Sequence, residues 1–201
     1  MPRQVDHEQR RRQIAEAVWR IASRSGLEDV TMRRVATEAG VSMRLVQYYF
    51  GTRDDLLLKS LEILNKMAEG RAQEKIRATI GEPTPRNILR GIMTEMLPYD
   101  DDRRTMYLVH IAYFVKALTD DSLGAALRNV EPLLEEFMAS LIRQAQEAGE
   151  VPASVDPMRE ATLMMCSVDG MQTAMLLGQR TEKQTHELID YQLDRIFSTR
   201  A

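Results

Sequence analysis

The chain has 201 residues, 44% of them hydrophobic and 28% charged, with a formal net charge of −3 and one cysteine, Cys166. Those proportions exclude extended disorder and leave room for one domain, or for a small domain beside a larger one. An internal disulfide is impossible, the opening MPRQVDHEQRRRQ lacks the apolar stretch of a secretory signal, and no run approaches the roughly 18 apolar residues of a membrane span. A cytoplasmic protein without a membrane partner is therefore expected.

Charge is unevenly placed. Residues 1–53 carry ten arginines and no lysine against six carboxylates, a balance of +4, whereas the remainder stands at −7. A basic amino-terminal quarter on an acidic body suits a nucleic-acid-binding module joined to a separate partner or ligand region.

Three-to-four-residue apolar periodicity recurs from end to end and strand signals are weak, so the expected fold is all-α. Ile14, Ala17, Val18 and Ile21 form the stripe of a first helix that ends at Gly26. Thr31 caps a short helix with Val35 and Ala36 inward, ending at Gly40, and Ser42 caps another through about Tyr49. Gly51-Thr52 precedes a longer helix with Asp54 and Asp55 in its first turn and Leu57, Leu61, Leu64 and Ala68 on its buried side. Gly81 to Pro85 reads as a break, followed by a helix to about Met96 and another from Arg103 to Leu118, opened by Asp100 to Asp102. Between Asp120 and Glu147 the pattern allows one helix kinked near Pro132 or two helices with Pro132 in the first turn of the second, and it leans to the kink. Two terminal helices follow, at about 156–178 and 182–198.

The two short helices flank Ala39-Gly40-Val41, the pattern of a helix-turn-helix, with glycine supplying the tight turn and Val41 plugging the joint. At 100° per residue, Ser42, Tyr49 and Phe50 share the Val46 side, while Arg44, Leu45, Gln47 and Tyr48 face away. Arginine can chelate guanine O6 and N7, an amide can pair with adenine, and phenols reach phosphates, so that face suits a DNA major groove. The tyrosine rings are expected to wedge the short helix against its scaffold and aim their hydroxyls at the duplex.

The segment from Gly26 to Leu57, GLEDVTMRRVATEAGVSMRLVQYYFGTRDDLL, resembles the amino-terminal domain of TetR/AcrR-family transcriptional regulators. It supplies Thr31, Val35, Ala36, Ala39, Gly40, Val41, Ser42, Tyr48, Tyr49, Phe50 and Leu56 in register. Gln47 stands where the family usually has Tyr, and Arg53 where it usually has Lys. The resemblance implies base-edge contacts from Met43, Arg44 and Leu45, and phosphate contacts from Arg33, Gln47, Tyr48, Tyr49 and Arg53. Gln47 either keeps to the phosphate or reads a base. Met43 and Leu45 cannot hydrogen-bond through their side chains and suit thymine methyl groups, which leaves direct readout mainly to Arg44.

Beyond about residue 75 the likeness to the family rests on helix order and length. Ala161 to Gly178 is apolar on more than one side. One face is expected to meet its own domain, and another, with Ile189, Leu193, Ile196 and Phe197, to pair across a two-fold axis as a four-helix bundle. A homodimer through the two carboxy-terminal helices would set two recognition helices about 34 Å apart, matching a palindromic operator in double-stranded DNA. Nine of the thirteen methionines lie between Met93 and Met175, and flexible thioethers suit a cavity for an apolar effector. Met93, Met96, Met106, His110, Tyr113, Phe114, Met138, Met165 and Asp169 are the candidate lining, with ordinary core the competing reading of each.

The three histidines are far apart and none has metal-ligand spacing; no glycine-rich phosphate loop or nucleophile elbow occurs. Neither an enzyme nor a cofactor or metal is expected. The reading is a DNA-binding module over residues 1–53 and a ligand-binding and dimerisation domain over 54–201, together a repressor released by a small molecule. A DNA-bound scaffold or cell-division factor on the same fold is the alternative.

Overall fold

Boundaries in the first third of the chain follow from single residues. In the computed structural model, which describes residues 2–78, 84–128 and 131–197, α1 (Pro2–Ser25) stops where Gly26 takes φ 80°, and a 3-10 turn over Leu27–Asp29 follows. The Thr31 hydroxyl accepts from the Arg34 amide and starts α2 (Met32–Ala39). Gly40 then turns left-handed at φ 66°, ψ 34°, a conformation that carries little steric penalty only without a Cβ. Ser42 accepts from the Leu45 amide and starts α3 (Met43–Phe50). Gly51, at φ 86°, closes α3, and α4 (Arg53–Ala78) begins with Thr52 and Asp55 bonding each other's amides. The Thr52 amide and hydroxyl both donate to the Asp55 carboxylate and hold it below the usual carboxylate range.

Downstream come α5 (Pro85–Glu95), capped by Thr84, then α6 (Asp101–Ala117) and α7 (Asp121–Arg128). They are followed by α8 (Glu131–Glu147), α9 (Pro157–Leu176), capped by Asp156, and α10 (Glu182–Ile196), opened by a capping box of Thr181 and Gln184. There is no strand among the described residues, and none of their helices is long and apolar enough to cross a membrane. Most of the expected break from Gly81 to Pro85 lies outside the described residues, as does the Ala68 side chain. The lean toward one kinked helix at Pro132 is corrected. The structure has two helices there, with Pro132 in the first turn of α8, where a missing N–H costs no helical bond.

The chain divides into two compact units. The first holds residues up to Gly70 together with Thr105–Leu127. Its core extends the expected α1 stripe to Ala15, Trp19 and Ala22 and joins it to Val35 and Ala36 of α2, Val46 and Phe50 of α3, and Leu56, Leu57, Leu61 and Leu64 of α4. Val109 and Tyr113 of α6 and Leu123 of α7 complete it. Two buried polar groups there are paired across elements: Trp19 Nε1 donates to the Ser60 carbonyl at 3.3 Å, and the Tyr113 hydroxyl to the Leu57 carbonyl at 2.9 Å.

The second unit holds Arg71–Arg104 and residues from Arg128 onward. Its core packs Leu89, Ile92 and Met93 of α5 against Met138 and Ile142 of α8, Met164, Met165 and Val168 of α9, and Ile189 and Leu193 of α10. Buried Gln172 satisfies its amide on the Met96 carbonyl at 2.8 Å. Ile189, Leu193, Ile196 and Phe197, expected to face a second subunit, lie in this core. α9 and its C-cap leave Met158, Leu163 and Leu177 exposed, and α10 exposes Leu188 and Tyr191.

Candidate nucleic-acid interface

Val46 and Phe50 anchor α3, each contributing about 1.5–3 kcal/mol by leaving water. Four residues apart, they define one side of the helix, so residues between them project outward. Met43, Arg44, Gln47 and Tyr48 are exposed, Tyr48 by 71%, and Leu45 is half-buried. Arginine, amide and phenol thus share one solvent face of a short capped helix. The expected wedge holds for Tyr49, which is half-buried against the core, but not for Tyr48. Tyr48 meets Tyr49 edge-on, with ring centres 5.2 Å apart.

The frame behind α3 is polar as well as apolar. Gln13 of α1 donates to the Ala39 carbonyl at 2.8 Å, fixing the entrance to the turn, and Arg10 in turn donates to Gln13 at 2.7 Å. Arg20 holds Glu38 of α2 at 2.7 Å; that bond, assisted by Arg24 and Arg34, keeps the Glu38 carboxyl below its ordinary range. Arg34 also pairs with Asp29 at 2.6 Å, whereas Arg33, its neighbour on α2, is exposed.

Arg53 is placed differently from a simple phosphate contact. Its Nε donates to the Val30 carbonyl and one terminal nitrogen to the Leu27 carbonyl, both at 2.7 Å. The guanidinium therefore staples the start of α4 to the 3-10 turn. Lys59, one and a half turns later, donates to the Phe50 carbonyl at 2.9 Å and secures the end of α3. Sequence reasoning also passed over His7, whose Nδ1 lies 2.9 Å from the Tyr49 hydroxyl. A signal was present. His7, Ile14 and Ile21 recur every seven residues, so a titratable side chain extends the stripe that α1 turns inward.

The nine candidate effector residues fall in both units. Met106, His110, Tyr113 and Phe114 belong to the first, and Met93, Met96, Met138, Met165 and Asp169 to the second. Met93, Met138 and Met165 are buried together, with Met96 packed against them. Tyr113 is buried with its only proton committed to Leu57, and burial pushes its phenol well above the usual range. His110, Phe114 and Asp169 have exposed side chains. Cys166 is exposed on α9.

An all-helical chain that offers such a face from the second helix of a helix-turn-helix is a DNA-binding protein. Residues 14–59 match the profile of the bacterial regulatory proteins, tetR family, and residues 85–198 match that of the BetI-type transcriptional repressor, C-terminal. The chain belongs to the TetR family of transcriptional regulators; it regulates transcription and is not an enzyme. It is 29% identical over 192 residues to the HTH-type transcriptional regulator PksA of Bacillus subtilis, covering 91% of this chain and 87% of that protein. The regulator BetI of Stenotrophomonas maltophilia is 34% identical over 94 residues, 46% of each chain. A solved regulator from Saccharomonospora viridis in complex with choline shares the fold at a TM-score of 0.83 and 23% identity, covering 96% of this chain and all of that one. FadR of Bacillus subtilis in complex with stearoyl-CoA shares it at 0.67 and 17%, covering 94% of this chain and 98% of that one.

Proposed function

We propose that the protein is a ligand-responsive repressor that binds a palindromic operator as a homodimer and leaves it when a small molecule binds. The residues that read DNA lie within 1–53, and ligand binding and pairing fall to side chains within 54–201. The observation that carries this is the outward face of α3, where Arg44, Gln47 and Tyr48 stand exposed opposite buried Val46 and Phe50. Arg44 takes guanine, Met43 and Leu45 touch thymine methyls, and Gln47 takes adenine or phosphate. Arg33, Tyr48 and Tyr49 take phosphates, as does Arg53 with the donors that its staple leaves over.

The effector acts on the methionine-rich second unit, where Met93, Met96, Met138 and Met165 pack together and their flexible thioethers accommodate a small, largely apolar guest. It works by binding the non-operator arrangement more tightly and shifting the population toward it. The ligands bound in two structural neighbours, choline and stearoyl-CoA, support responsiveness to a ligand.

The test uses a duplex that the wild-type protein selects from a random library. Arg44→Ala is expected to lose about 1–3 kcal/mol on that duplex, roughly 5- to 150-fold, and little on random DNA. Equal losses on both duplexes would overturn the assignment of base reading to Arg44.

A further inference from the structure

His7 sits near the beginning of α1, forty-two residues from Tyr49, yet their polar atoms are at hydrogen-bond distance. Their rings meet edge-on with centres 5.6 Å apart and planes at 62°, and Tyr49 meets Tyr48 in the same manner. The imidazole thus closes a row of three rings that ends on the exposed face of α3. On α1 it stands beside Glu8, with Arg10 and Arg11 one turn farther along; on α3 the ionisable groups nearest to it are the phenols of Tyr49 and Tyr48.

A phenol has one proton to give. When Nδ1 is bare it accepts that proton, and Tyr49 then turns only lone pairs outward, which an anionic phosphate oxygen repels. When Nδ1 carries hydrogen it donates to the phenol oxygen and frees the hydroxyl proton for a phosphate. The neutral ring can do this only by leaving its other nitrogen bare. The imidazolium does it with both nitrogens as donors and a positive charge besides. The phosphates of a bound duplex favour a cation at this position.

We infer that His7 is a positioning residue for DNA. It aims the Tyr49 hydroxyl at the phosphate backbone, and its protonation accompanies duplex binding. This rests on the DNA-binding reading above and extends the contact surface to the first turns of α1. Binding takes up a proton, so affinity rises as pH falls through the interval in which histidines titrate. Because a phosphate contact is blind to sequence, the effect does not require the operator.

The experiment measures dissociation constants for a short duplex of mixed sequence at constant ionic strength, at about pH 8 and about pH 6. Wild type, His7→Gln, Tyr49→Phe and the double variant are compared, each with its helicity checked at both pH values. His110 and His186 remain in all four, so differences report on the pair. Wild type is expected to gain about tenfold more affinity on acidification than His7→Gln, the lower end of what one charge-assisted hydrogen bond contributes. Tyr49→Phe is expected to lose the same increment, and the double variant no more than either. If His7→Gln keeps the wild-type pH response, or if Tyr49→Phe keeps it while His7→Gln loses it, the positioning role is overturned. If wild type ignores the duplex at both pH values, the DNA-binding reading fails and this inference with it.

Discussion

Arg53 donates to two backbone carbonyls, those of Val30 and Leu27, and charge-assisted bonds of this kind are stronger than neutral ones. Arg53→Ala is accordingly expected to lower stability by about 2 kcal/mol in denaturant titrations, with Arg53→Lys recovering part of it. If Arg53→Ala melted like wild type while losing DNA affinity, Arg53 would be a phosphate contact and not a staple. The staple itself was not legible in the sequence. Thr31, Gly40 and Ser42 could be read directly, because caps and left-handed turns depend on a few adjacent residues. The partners of Arg53 are carbonyls 26 and 23 positions upstream, and a carbonyl leaves no mark in side-chain sequence. His7 was hidden for a similar reason, since its partner lies on another helix.

Between elements, α5 and α10 meet through charge. Arg90 grips Asp190 with two bonds, at 2.6 and 3.1 Å, and also reaches His186, which stacks on Tyr99 with ring centres 5.0 Å apart. The Arg90 hydrogen bond holds the Asp190 carboxyl below the usual carboxylate range, and Arg86 adds to this through space. A depressed carboxyl contributes stability above its unfolded-state range near pH 4 and loses it as pH falls through the folded-state value. Asp190→Asn should therefore lower the melting temperature by roughly 2–4 °C near pH 7, about 1 kcal/mol once solvent screening is allowed for, and by little near pH 3. An equal drop at both pH values would show that shape, not charge, holds the joint. Helix order was legible from apolar spacing, but the division at Pro132 was not, because proline suits both a kink and a first turn. Nor could periodicity alone say which apolar side of α9 and α10 would be covered from within. Ile189 and Leu193 lie in the second unit's core, and Leu188 and Tyr191 are exposed.

For the whole molecule, that exposed set bears on pairing. A palindromic site one helical turn long needs two reading helices, and a single short helix binds weakly. If α9 and α10 form the two-fold contact, Leu188→Glu with Tyr191→Glu should give a folded species sedimenting at 23.0 kDa, with operator affinity sharply reduced. A variant that kept twice that mass would show that the pairing surface lies elsewhere. The other consequence concerns how the gene may be cut. Because Val109, Tyr113 and Leu123 close the core built on α1 to α4, the half that carries the reading helix is sewn from two stretches of sequence with a foreign stretch running between them. A contiguous fragment ending at Gly70 would leave that interior open to water on the side that α6 and α7 close. The smallest autonomous reading head is thus far longer than the motif it displays.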